Sequence, residues 1–393
     1  MNIAILGFGV VGSGAYDIAK QIAKEEGDIK VTRVLCRKMK PEYEGLDCTF
    51  TTDIDDILND SSIDVVIESI GGIEPARSYV LSCLQAGKHV VTPNKSLISA
   101  CYEELFETAK ANGVSLHFTS TSGGGIPWLY NLRRTKRCNS ISEIHGIING
   151  TCNYILSRMF SEECSFKEAL AGAQELGYAE ADPSADIEGI DTRNKTVISG
   201  NIAFDTIIKP EDVACYGIDT IEACDIKWFK EHGYSCKLLM NASKLSDEAI
   251  SAYVEPSLVS SASLEANVNA NLNLISLTAD GVGPLSFYGQ GAGHFPTGES
   301  VIQDVLDIKE GIDNDLPCTC KKYKVDNSAE VHKYYIRHET MCEHISPLIE
   351  SYEEKDGVFY CISKPLSVEK MHSMGQRRKE KGKPMFFAAI KEM

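Results

Sequence analysis

The chain lacks the positive charge that nucleic-acid-binding and membrane-surface proteins carry. Across 393 residues, 56 acidic side chains outnumber 39 basic ones, and the formal net charge is −17. An excess of negative charge repels phosphate backbones and anionic lipid headgroups. We therefore expect neither nucleic acid nor an anionic membrane as the main partner.

Long apolar runs and paired cysteine motifs are missing as well. No run approaches the roughly twenty apolar residues that cross a bilayer, and the N-terminus MNIAILGFG has no basic segment typical of a signal peptide. The fourteen cysteines are scattered, and Cys318 and Cys320 have no second pair or histidine cluster nearby, as a zinc site would require. These absences predict a cytoplasmic protein with free thiols.

The N-terminus itself carries an apolar strand followed by a glycine-rich turn. The predicted strand Asn2–Leu6 leads into GFGVVG, and a helical pattern continues to about Lys24. In this context Gly7, Gly9 and Gly12 let backbone amides approach a pyrophosphate at the helix N-terminus. The motif therefore predicts a dinucleotide-binding domain.

The end of the second predicted strand, Lys30–Leu35, is basic. Arg37 and Lys38 stand where an NAD-preferring domain has an acid that meets the ribose 2′-hydroxyl. Cationic side chains suit a 2′-phosphate instead. We predict NADP as the preferred cofactor, with NAD as the alternative; ordinary solvated loop charges are the competing explanation of these two residues.

Strand and helix patterns then alternate along the chain. The predicted strands are Asp64–Ser69, His89–Val91 and Ser115–Thr119, and the predicted helices are Glu74–Gln85 and Ser99–Ala111. This alternation predicts an α/β fold with a parallel, doubly wound sheet of the Rossmann type. Ligands bind beyond the carboxyl ends of such strands. Lys95, just past one of these ends, is a candidate site residue, with a surface lysine as the alternative.

Antiparallel strands replace this alternation after Glu143. The predicted elements are helices at Gly150–Met159, Ser165–Leu176 and Ile221–Glu231, strands at Ser235–Leu245, Ala249–Val254, Asn271–Leu277 and Leu285–Tyr288, and a final helix at Pro296–Ile308. We predict a Rossmann domain over 1–130, completed by about 289–311, and an α+β substrate-binding and dimerisation domain over 131–288.

The stretch Gly177–Lys195, GYAEADPSADIEGIDTRNK, concentrates carboxylates before a lysine. Its pattern predicts one helix over Ser184–Phe204. Asp191 and Lys195 share a stripe with Ile198 and Ile202, so the apolar residues that face the core predict that the pair faces inward too. A part-buried lysine beside carboxylates can exchange a proton with a substrate oxygen. An exposed i,i+4 ion pair is the alternative.

Together, these motifs resemble the homoserine dehydrogenase family. In family order over about Met1–Gly311, the sequence reads GFGVVGSG, TPNKSLIS, GGGIP, NGTCNYIL, LGYAEADPSADIEGIDTRNK and GQGAGHFPT. The resemblance implies reversible NAD(P)-dependent interconversion of L-aspartate 4-semialdehyde and L-homoserine, in threonine, methionine and isoleucine biosynthesis. It also implies a homodimer or higher homo-oligomer.

The resemblance further implies roles for individual residues. Lys195 corresponds to the proton donor, and Lys95 to a lysine between nicotinamide and substrate. Glu180 and Asp191 correspond to substrate-binding acids, and Asp186 to an acid close to them. The remaining implied contacts are the cofactor loop (Phe8, Gly9, Val10, Val11 and Gly71) and backbone carbonyls for a sodium ion (Thr119, Ser122, Gly124 and Ile126). Family members often have glutamate at the first sodium position, and threonine keeps the carbonyl.

The C-terminal residues depart from the family pattern. We predict a linker at Gly311–Pro317 and a small α+β module over 318–393, with strands at His332–Glu339, Gly357–Ser363 and Met385–Ile390 and a helix at Ile345–Glu353. That order is compatible with a diverged ACT-like regulatory module, although the Asp-x-Pro-Gly turn is missing. The resemblance begins at the cofactor motif, so we expect no fused aspartate kinase. A chain ended near Asp315 should keep its chemistry if it stays folded.

Two other functions remain open on the sequence alone. An aldehyde-oxidising semialdehyde dehydrogenase needs a cysteine nucleophile, and Thr119–Pro127, after the last nucleotide-domain strand, has none. A non-enzymatic NADP-sensing protein would not require Asp191 and Lys195 on an inward face.

Overall fold

The computed structural model describes residues 1–25, 27, 29–312, 322–339, 345–383 and 385–391. These residues form two compact units. The first consists of the described residues of Met1–Arg133 and Gln290–Cys320, and the second of those of Arg134–Gly289 and Lys321–Met393. Within the described ranges, no helix combines the length and the apolar character needed to cross a membrane.

The first unit is built on a six-stranded parallel sheet in the order β3-β2-β1-β4-β5-β6. Its strands are β1 (Asn2–Leu6), β2 (Lys30–Leu35), β3 (Thr49–Thr51), β4 (Val65–Glu68), β5 (His89–Val91) and β6 (Leu116–His117). Its helices are α1 (Val10–Glu25), α2 (Asp55–Leu58), α3 (Ala76–Gln85), α4 (Lys95–Ala111), α5 (Trp128–Lys136) and α11 (His294–Glu310). The strand order reverses beside β1, which confirms the doubly wound parallel sheet.

Helix α11 belongs to this unit because it packs against α1. Two glycines allow the close approach: a Cβ on Gly14 would lie 2.4 Å from the carbonyl oxygen of His294, and one on Gly298 would lie 2.8 Å from the carbonyl carbon of Gly14. Val301, Ile302 and Val305 of α11 then join the apolar core formed by β1, β2 and α1.

The second unit is built on a mixed sheet whose main order is β12-β11-β7-β9-β10-β18-β14-β16-β15. Its strands are β7 (Ile141–Ile147), β8 (Ala214–Cys215), β9 (Tyr234–Lys244), β10 (Ala249–Ser260), β11 (Leu272–Ala279), β12 (Gly283–Gln290), β13 (Lys324–Val325), β14 (Val331–His338), β15 (Ile349–Lys355), β16 (Val358–Ser363), β17 (Leu366–Ser367) and β18 (Phe386–Ile390). Its helices are α6 (Gly150–Glu162), α7 (Phe166–Glu175), α8 (Ser184–Ile187), α9 (Ile190–Phe204), α10 (Ala223–Glu231) and α12 (Val368–Glu380). Helix α9 contacts β7, β9 and β10.

Three predicted helices differ from those observed. The helix predicted over Ser184–Phe204 is two helices, α8 and α9, because Gly189 takes a left-handed φ of +84° at the junction. Helix α4 begins at Lys95 rather than Ser99, since the Asn94 side chain caps it. The predicted helix Ile345–Glu353 is wrong: strand β15 occupies Ile349–Lys355 and pairs with β16.

The other predicted C-terminal strands correspond to β14, β16 and β18. Residues 313–317 of the predicted linker, and the Cys318–Cys320 pair, lie outside the described residues.

Candidate active site

The glycine-rich turn after β1 is shaped by three glycines. Gly7 has a φ of +91°, and its carbonyl accepts a hydrogen bond from the Ser69 hydroxyl at 2.9 Å. A Cβ on Gly12 would lie 2.3 Å from the Gly7 carbonyl oxygen, so a larger residue would open the turn. No atom lies within 4 Å of the position that a Cβ on Gly9 would take. The turn therefore presents open backbone at the N-terminus of α1.

The residues between these glycines differ in what their side chains do. The Phe8 ring packs edge-on against Tyr16, Tyr43 and Phe50, with ring centroids 5.2 to 5.7 Å apart, so its side chain is part of the fold. Val11 is half-buried, and the Val10 side chain is 66% exposed. The Phe8 ring thus anchors the turn to the fold, whereas the Val10 side chain faces solvent.

A buried carboxylate fixes the loop after β4. Glu68 is fully buried, and its Oε1 accepts the backbone N–H groups of Ile70 and Gly71 at 2.7 and 3.2 Å. Its Oε2 accepts the hydroxyl of Thr92 at 2.6 Å, which links this loop to the end of β5. Gly71 takes a φ of +82° there. The ends of β4 and β5 are therefore held as one surface.

Lys95 stands at the first position of α4, beside this surface. Asn94 caps the helix by accepting the Leu97 N–H at 3.1 Å, and it donates to the Gly72 carbonyl at 2.7 Å. The Lys95 side chain is half-buried. A helix N-terminus and an ammonium group both favour negative charge, so this end of α4 suits a group that becomes anionic.

Arg37 and Lys38 follow β2 as exposed side chains. Lys40, two residues further, forms an ion pair with Glu42 at 3.3 Å. The two cations lie beyond the carboxyl end of β2, the edge of the sheet at which the glycine-rich turn also begins.

The four residues implied in sodium binding lie in the segment after β6. Thr119 is held by Asp304 of α11, which accepts its N–H at 2.9 Å and its hydroxyl at 2.6 Å. Burial raises the pKa of Asp304 to about 7, although the hydrogen bonds from Thr119 oppose the rise. Ser122 and Ile126 are buried, and the Gly124 carbonyl accepts the Ser300 hydroxyl at 2.5 Å.

In the second unit, a buried cluster surrounds Lys195. Its Nζ lies 2.8 Å from Asp191 Oδ2 and donates to the Ile148 carbonyl at 2.9 Å. The Asn149 amide donates to Asp191 Oδ2 at 2.8 Å and to Asp186 Oδ1 at 2.7 Å. One lysine is thus held among two carboxylates, an amide and a carbonyl.

The fold explains why this cluster is buried. Asp191 and Lys195 are only 5% and 7% exposed, so the exposed i,i+4 pair considered from the sequence is ruled out. All residues of α9 except Ile190 and Arg193 are buried, which means that the helix lies in the interior on every side. Ion pairs in such surroundings need their hydrogen bonds satisfied, and Asn149 and Ile148 supply them.

Asn149 and the carbonyl of Ile148 were not singled out from the sequence. Asn149 Oδ1 accepts the Cys152 N–H at 2.8 Å and so caps α6, while its Nδ2 reaches the two carboxylates. The available signal was the Asn-Gly-Thr opening of a helix, which marks a capping residue. Its second role depends on contacts 37 and 42 residues away.

Glu180 is not brought into the hydrogen-bonded cluster. Its side chain is exposed, and its contact is through the backbone carbonyl, which accepts from Gln174 Nε2 at 3.1 Å. The structure thus joins Asp186, Asp191 and Lys195, and leaves the Glu180 carboxylate facing solvent.

A dinucleotide-binding sheet in one unit and a buried lysine–carboxylate cluster in the other define the class of NAD(P)-dependent oxidoreductases. Comparison with known proteins narrows this class. Residues 7–119 match the family model described as homoserine dehydrogenase, NAD binding domain, and residues 127–306 match the model described as homoserine dehydrogenase. The chain belongs to the homoserine dehydrogenase family.

Similar proteins agree with this assignment. A homoserine dehydrogenase from Synechocystis sp. is 39% identical over 341 residues, which cover 82% of this chain and 78% of the relative. One from Corynebacterium glutamicum is 39% identical over 316 residues, covering 78% and 71%. The crystal structure of a homoserine dehydrogenase from Thiobacillus denitrificans superposes with a TM-score of 0.86 at 31% identity, covering 100% of this chain and 98% of the other.

The activity follows from the family. The chain is an NAD(P)-dependent oxidoreductase that interconverts L-homoserine and L-aspartate 4-semialdehyde, a step of amino-acid biosynthesis.

Proposed function

We propose that Lys195 is the proton donor for reduction of the semialdehyde and the proton acceptor for oxidation of homoserine. The observation that carries this proposal is the burial of its ammonium group, with Asp191 Oδ2 and the Ile148 carbonyl within 2.9 Å. These contacts fix the direction of Nζ, and a positioned acid or base accelerates proton transfer more than a mobile one.

The neighbouring carboxylates supply the charge that an amino-acid substrate requires. Asp186 and Asp191 carry two negative charges against the one positive charge of Lys195, which leaves an excess suited to a substrate ammonium group. We assign Glu180 to the same role on its position in the family motif and its exposed side chain. If Glu180→Gln leaves the KM for homoserine unchanged, that part of the assignment fails.

The residues of the first unit fit a bound dinucleotide. Gly9 leaves open space beside its backbone. Gly7 and Phe8 lie in the turn after β1, Val10, Val11 and Gly12 lie in the first turn of α1, and Gly71 lies in the loop after β4. When bound, the dinucleotide supplies or accepts the hydride. Lys95, at the N-terminus of α4, then stabilises the negative charge that develops on the substrate oxygen.

NADP is the cofactor that the exposed cations favour. Arg37 and Lys38 follow β2, and a 2′-phosphate accepts charge-assisted hydrogen bonds from such groups.

A sodium ion suits the backbone carbonyls of Thr119, Ser122, Gly124 and Ile126, because hard cations prefer oxygen ligands. The Ser300 hydroxyl already donates to one of these carbonyls, that of Gly124, whose second lone pair still allows a cation. Equal thermal unfolding midpoints in sodium and potassium chloride at matched ionic strength would argue against the ion.

A homodimer in the cytoplasm completes the proposal. Strand β12 ends the main order of the sheet, and its Leu285 and Tyr288 side chains are 36% and 59% exposed, as a subunit contact would need. The free thiols of Cys152, Cys215 and the other described cysteines are compatible with a reducing compartment. Sedimentation equilibrium that gives a monomer would refute the dimer.

The deciding experiment compares two buried lysines of the same unit. Lys237 is 3% exposed and donates to Asn153 Oδ1 and the Val268 carbonyl, away from the hydrogen bonds of Lys195. We expect Lys195→Ala to lower kcat by about 10²–10⁴-fold with NADPH binding intact, the range for a lost general acid. Folded Lys237→Ala protein should keep a kcat near that of the wild type. A Lys195→Ala enzyme with near-normal kcat would remove this residue from the mechanism.

A further inference from the structure

One short segment contacts two parts of the second unit. On one side it contacts the junction between α8 and α9, the helices that carry the substrate-binding carboxylates, and on the other side it contacts C-terminal residues. This segment, which we call the support segment, is Cys215–Ile218; it begins at the last residue of strand β8 and lies between helices α9 and α10 in the chain. It lies wholly within the second unit. One face of the segment contacts the junction between α8 and α9, and the other face contacts α12 and β18.

One face of the support segment touches the junction between α8 and α9. The Ile218 N–H donates to the Ile187 carbonyl at 2.7 Å, and the Cys215 thiol donates to the Glu188 carbonyl at 3.4 Å. Gly217 has no room for a side chain, since a Cβ there would lie 2.0 Å from the Ile187 carbonyl oxygen. The junction lies between Asp186 and Asp191, so its position sets where both carboxylates stand.

The other face of the segment is Tyr216, which the C-terminal elements enclose. Its ring is 2% exposed and lies 4.2 Å, centroid to centroid, from the ring of Phe387 on β18. Its hydroxyl donates to the Met385 carbonyl, and Lys379 of α12 lies 4.5 Å above its ring. Gly375 lets α12 approach, because a Cβ there would lie 2.8 Å from Tyr216 Cε2.

We propose that Tyr216 is a positioning residue. Through its contacts with α12 and β18, it fixes the positions of the substrate-binding carboxylates Asp186 and Asp191. The chain of contacts runs from Phe387 and Met385 to Tyr216, along the backbone to Gly217 and Ile218, and across to the Ile187–Gly189 junction. Packed side chains and hydrogen bonds transmit displacement because the interior has little free volume. A displacement of the junction changes the binding of substrate and leaves the binding of dinucleotide untouched. This inference rests on the proposed roles of Asp186 and Asp191.

Two adjacent phenylalanines provide a matched test. Phe387 packs on Tyr216, whereas Phe386 points to the opposite face of β18, toward Phe229 and Tyr335. Both are fully buried, so Phe387→Leu and Phe386→Leu remove the same group from equally buried sites. We expect Phe387→Leu to raise the KM for homoserine about five-fold or more above that of Phe386→Leu, with the KM for NADP the same in both.

Further variants keep the test decisive if a phenylalanine variant does not fold. Gly375→Ala improves helix propensity and pushes a methyl group against the rings of both Phe387 and Tyr216, so it should raise the same KM. Tyr216→Phe should recover most of the affinity that Tyr216→Leu loses, because it keeps the ring. Equal KM values for homoserine in Phe387→Leu and Phe386→Leu, or in Gly375→Ala and the wild type, would overturn the proposal.

An Asp191→Asn variant distinguishes a failure of the positioning role of Tyr216 from a failure of the proposed role of the substrate cluster. If Asp191→Asn raises the KM for homoserine while the Phe387 and Gly375 variants do not, only the positioning role of Tyr216 fails. If Asp191→Asn itself leaves both kcat and KM unchanged, the assignment of the substrate cluster fails.

Discussion

Two carboxylates are held close together around one lysine, and the Asn149 amide makes this arrangement stable. Each of its two N–H groups meets one carboxylate, Asp186 or Asp191, so that neither depends on Lys195 alone. A carboxylate that loses water on burial needs hydrogen-bond donors in its place, and the Asn149 amide supplies them to both acids.

The proposed preference for NADP rests on two exposed side chains, Arg37 and Lys38. We expect the double variant Arg37→Ser with Lys38→Ser to weaken NADPH binding, because the 2′-phosphate loses charge-assisted contacts of about 1.5–3 kcal/mol. NADH, which has no 2′-phosphate, should be spared. Dissociation constants for both cofactors measure the effect, with Lys40→Ser in the same loop as the control. Equal losses for NADPH and NADH would show that Arg37 and Lys38 contact something else.

Local sequence patterns predict the burial of Asp191 and Lys195, but they do not predict the role of Asn149. Burial of Asp191 and Lys195 was predicted from the stripe they share with Ile198 and Ile202. The prediction is confirmed, but for a broader reason, since α9 is buried almost all round. Asn149 escaped notice because its partners are distant in the chain, and no local pattern reveals such contacts.

Helices and strands differ in how much of their position local sequence determines. The glycine-rich turn and the helix predicted over Ser165–Leu176 follow from short patterns, and both are present; a capping box of Ser165 and Glu168 begins the helix. The predicted helix Ile345–Glu353 contains Ile345, Leu348 and Ile349 at helical spacing, yet part of this range forms strand β15. Its remaining residues, Glu350–Lys355, are exposed, so no alternation marked the strand, and pairing with β16 decided the outcome.

The contact between α11 and the segment after β6 should be visible in the pH dependence of stability. Asp304 has a pKa of about 7 in the folded protein, above its ordinary value of 3.8. Between these values the folded protein holds a proton that the unfolded chain has lost. The free energy of unfolding therefore contains a contribution that is present at acid pH and is lost as the pH rises to about 7.

Removing this carboxylate should flatten that dependence. We expect Asp304→Asn to gain about 1–3 kcal/mol relative to the wild type between about pH 5 and about pH 8, in urea unfolding at each pH. Glu299→Gln, an exposed carboxylate on the same helix, controls for the change of charge. A constant difference between wild type and Asp304→Asn across this range would contradict a proton on Asp304.

The C-terminal residues are part of the second unit's main sheet. Strand β18 pairs with β10 on one side and β14 on the other, and Phe386, Phe387 and Tyr334 are fully buried there. The expectation that a shortened chain keeps its chemistry was conditional on folding. Loss of β18 exposes the edge of β10 and the apolar surface beneath it, so that condition should not be met.

Removal of the C-terminal strands should therefore prevent the second unit from folding. A chain ended after Ile312 should be aggregated or should lack a cooperative unfolding transition for the second unit, because its sheet loses β18 and the strands beyond it. Size-exclusion chromatography and thermal unfolding followed by circular dichroism measure this, with the full chain as reference. A monodisperse truncated protein that unfolds at the wild-type temperature and oxidises homoserine normally would show that the C-terminal strands are dispensable.

Because β18 comes late in the chain, its position also determines which unit can fold first during protein synthesis. A ribosome delivers β10 well before β18, yet the two are neighbours in the folded sheet. Regions made first begin to fold first, so the first unit can form while the nascent chain still lacks the strand that seals the second. Lys195, which we propose as the proton donor, lies in helix α9, and this helix packs on β10. We therefore expect nascent chains stalled before Phe386 to bind dinucleotide without turning over homoserine.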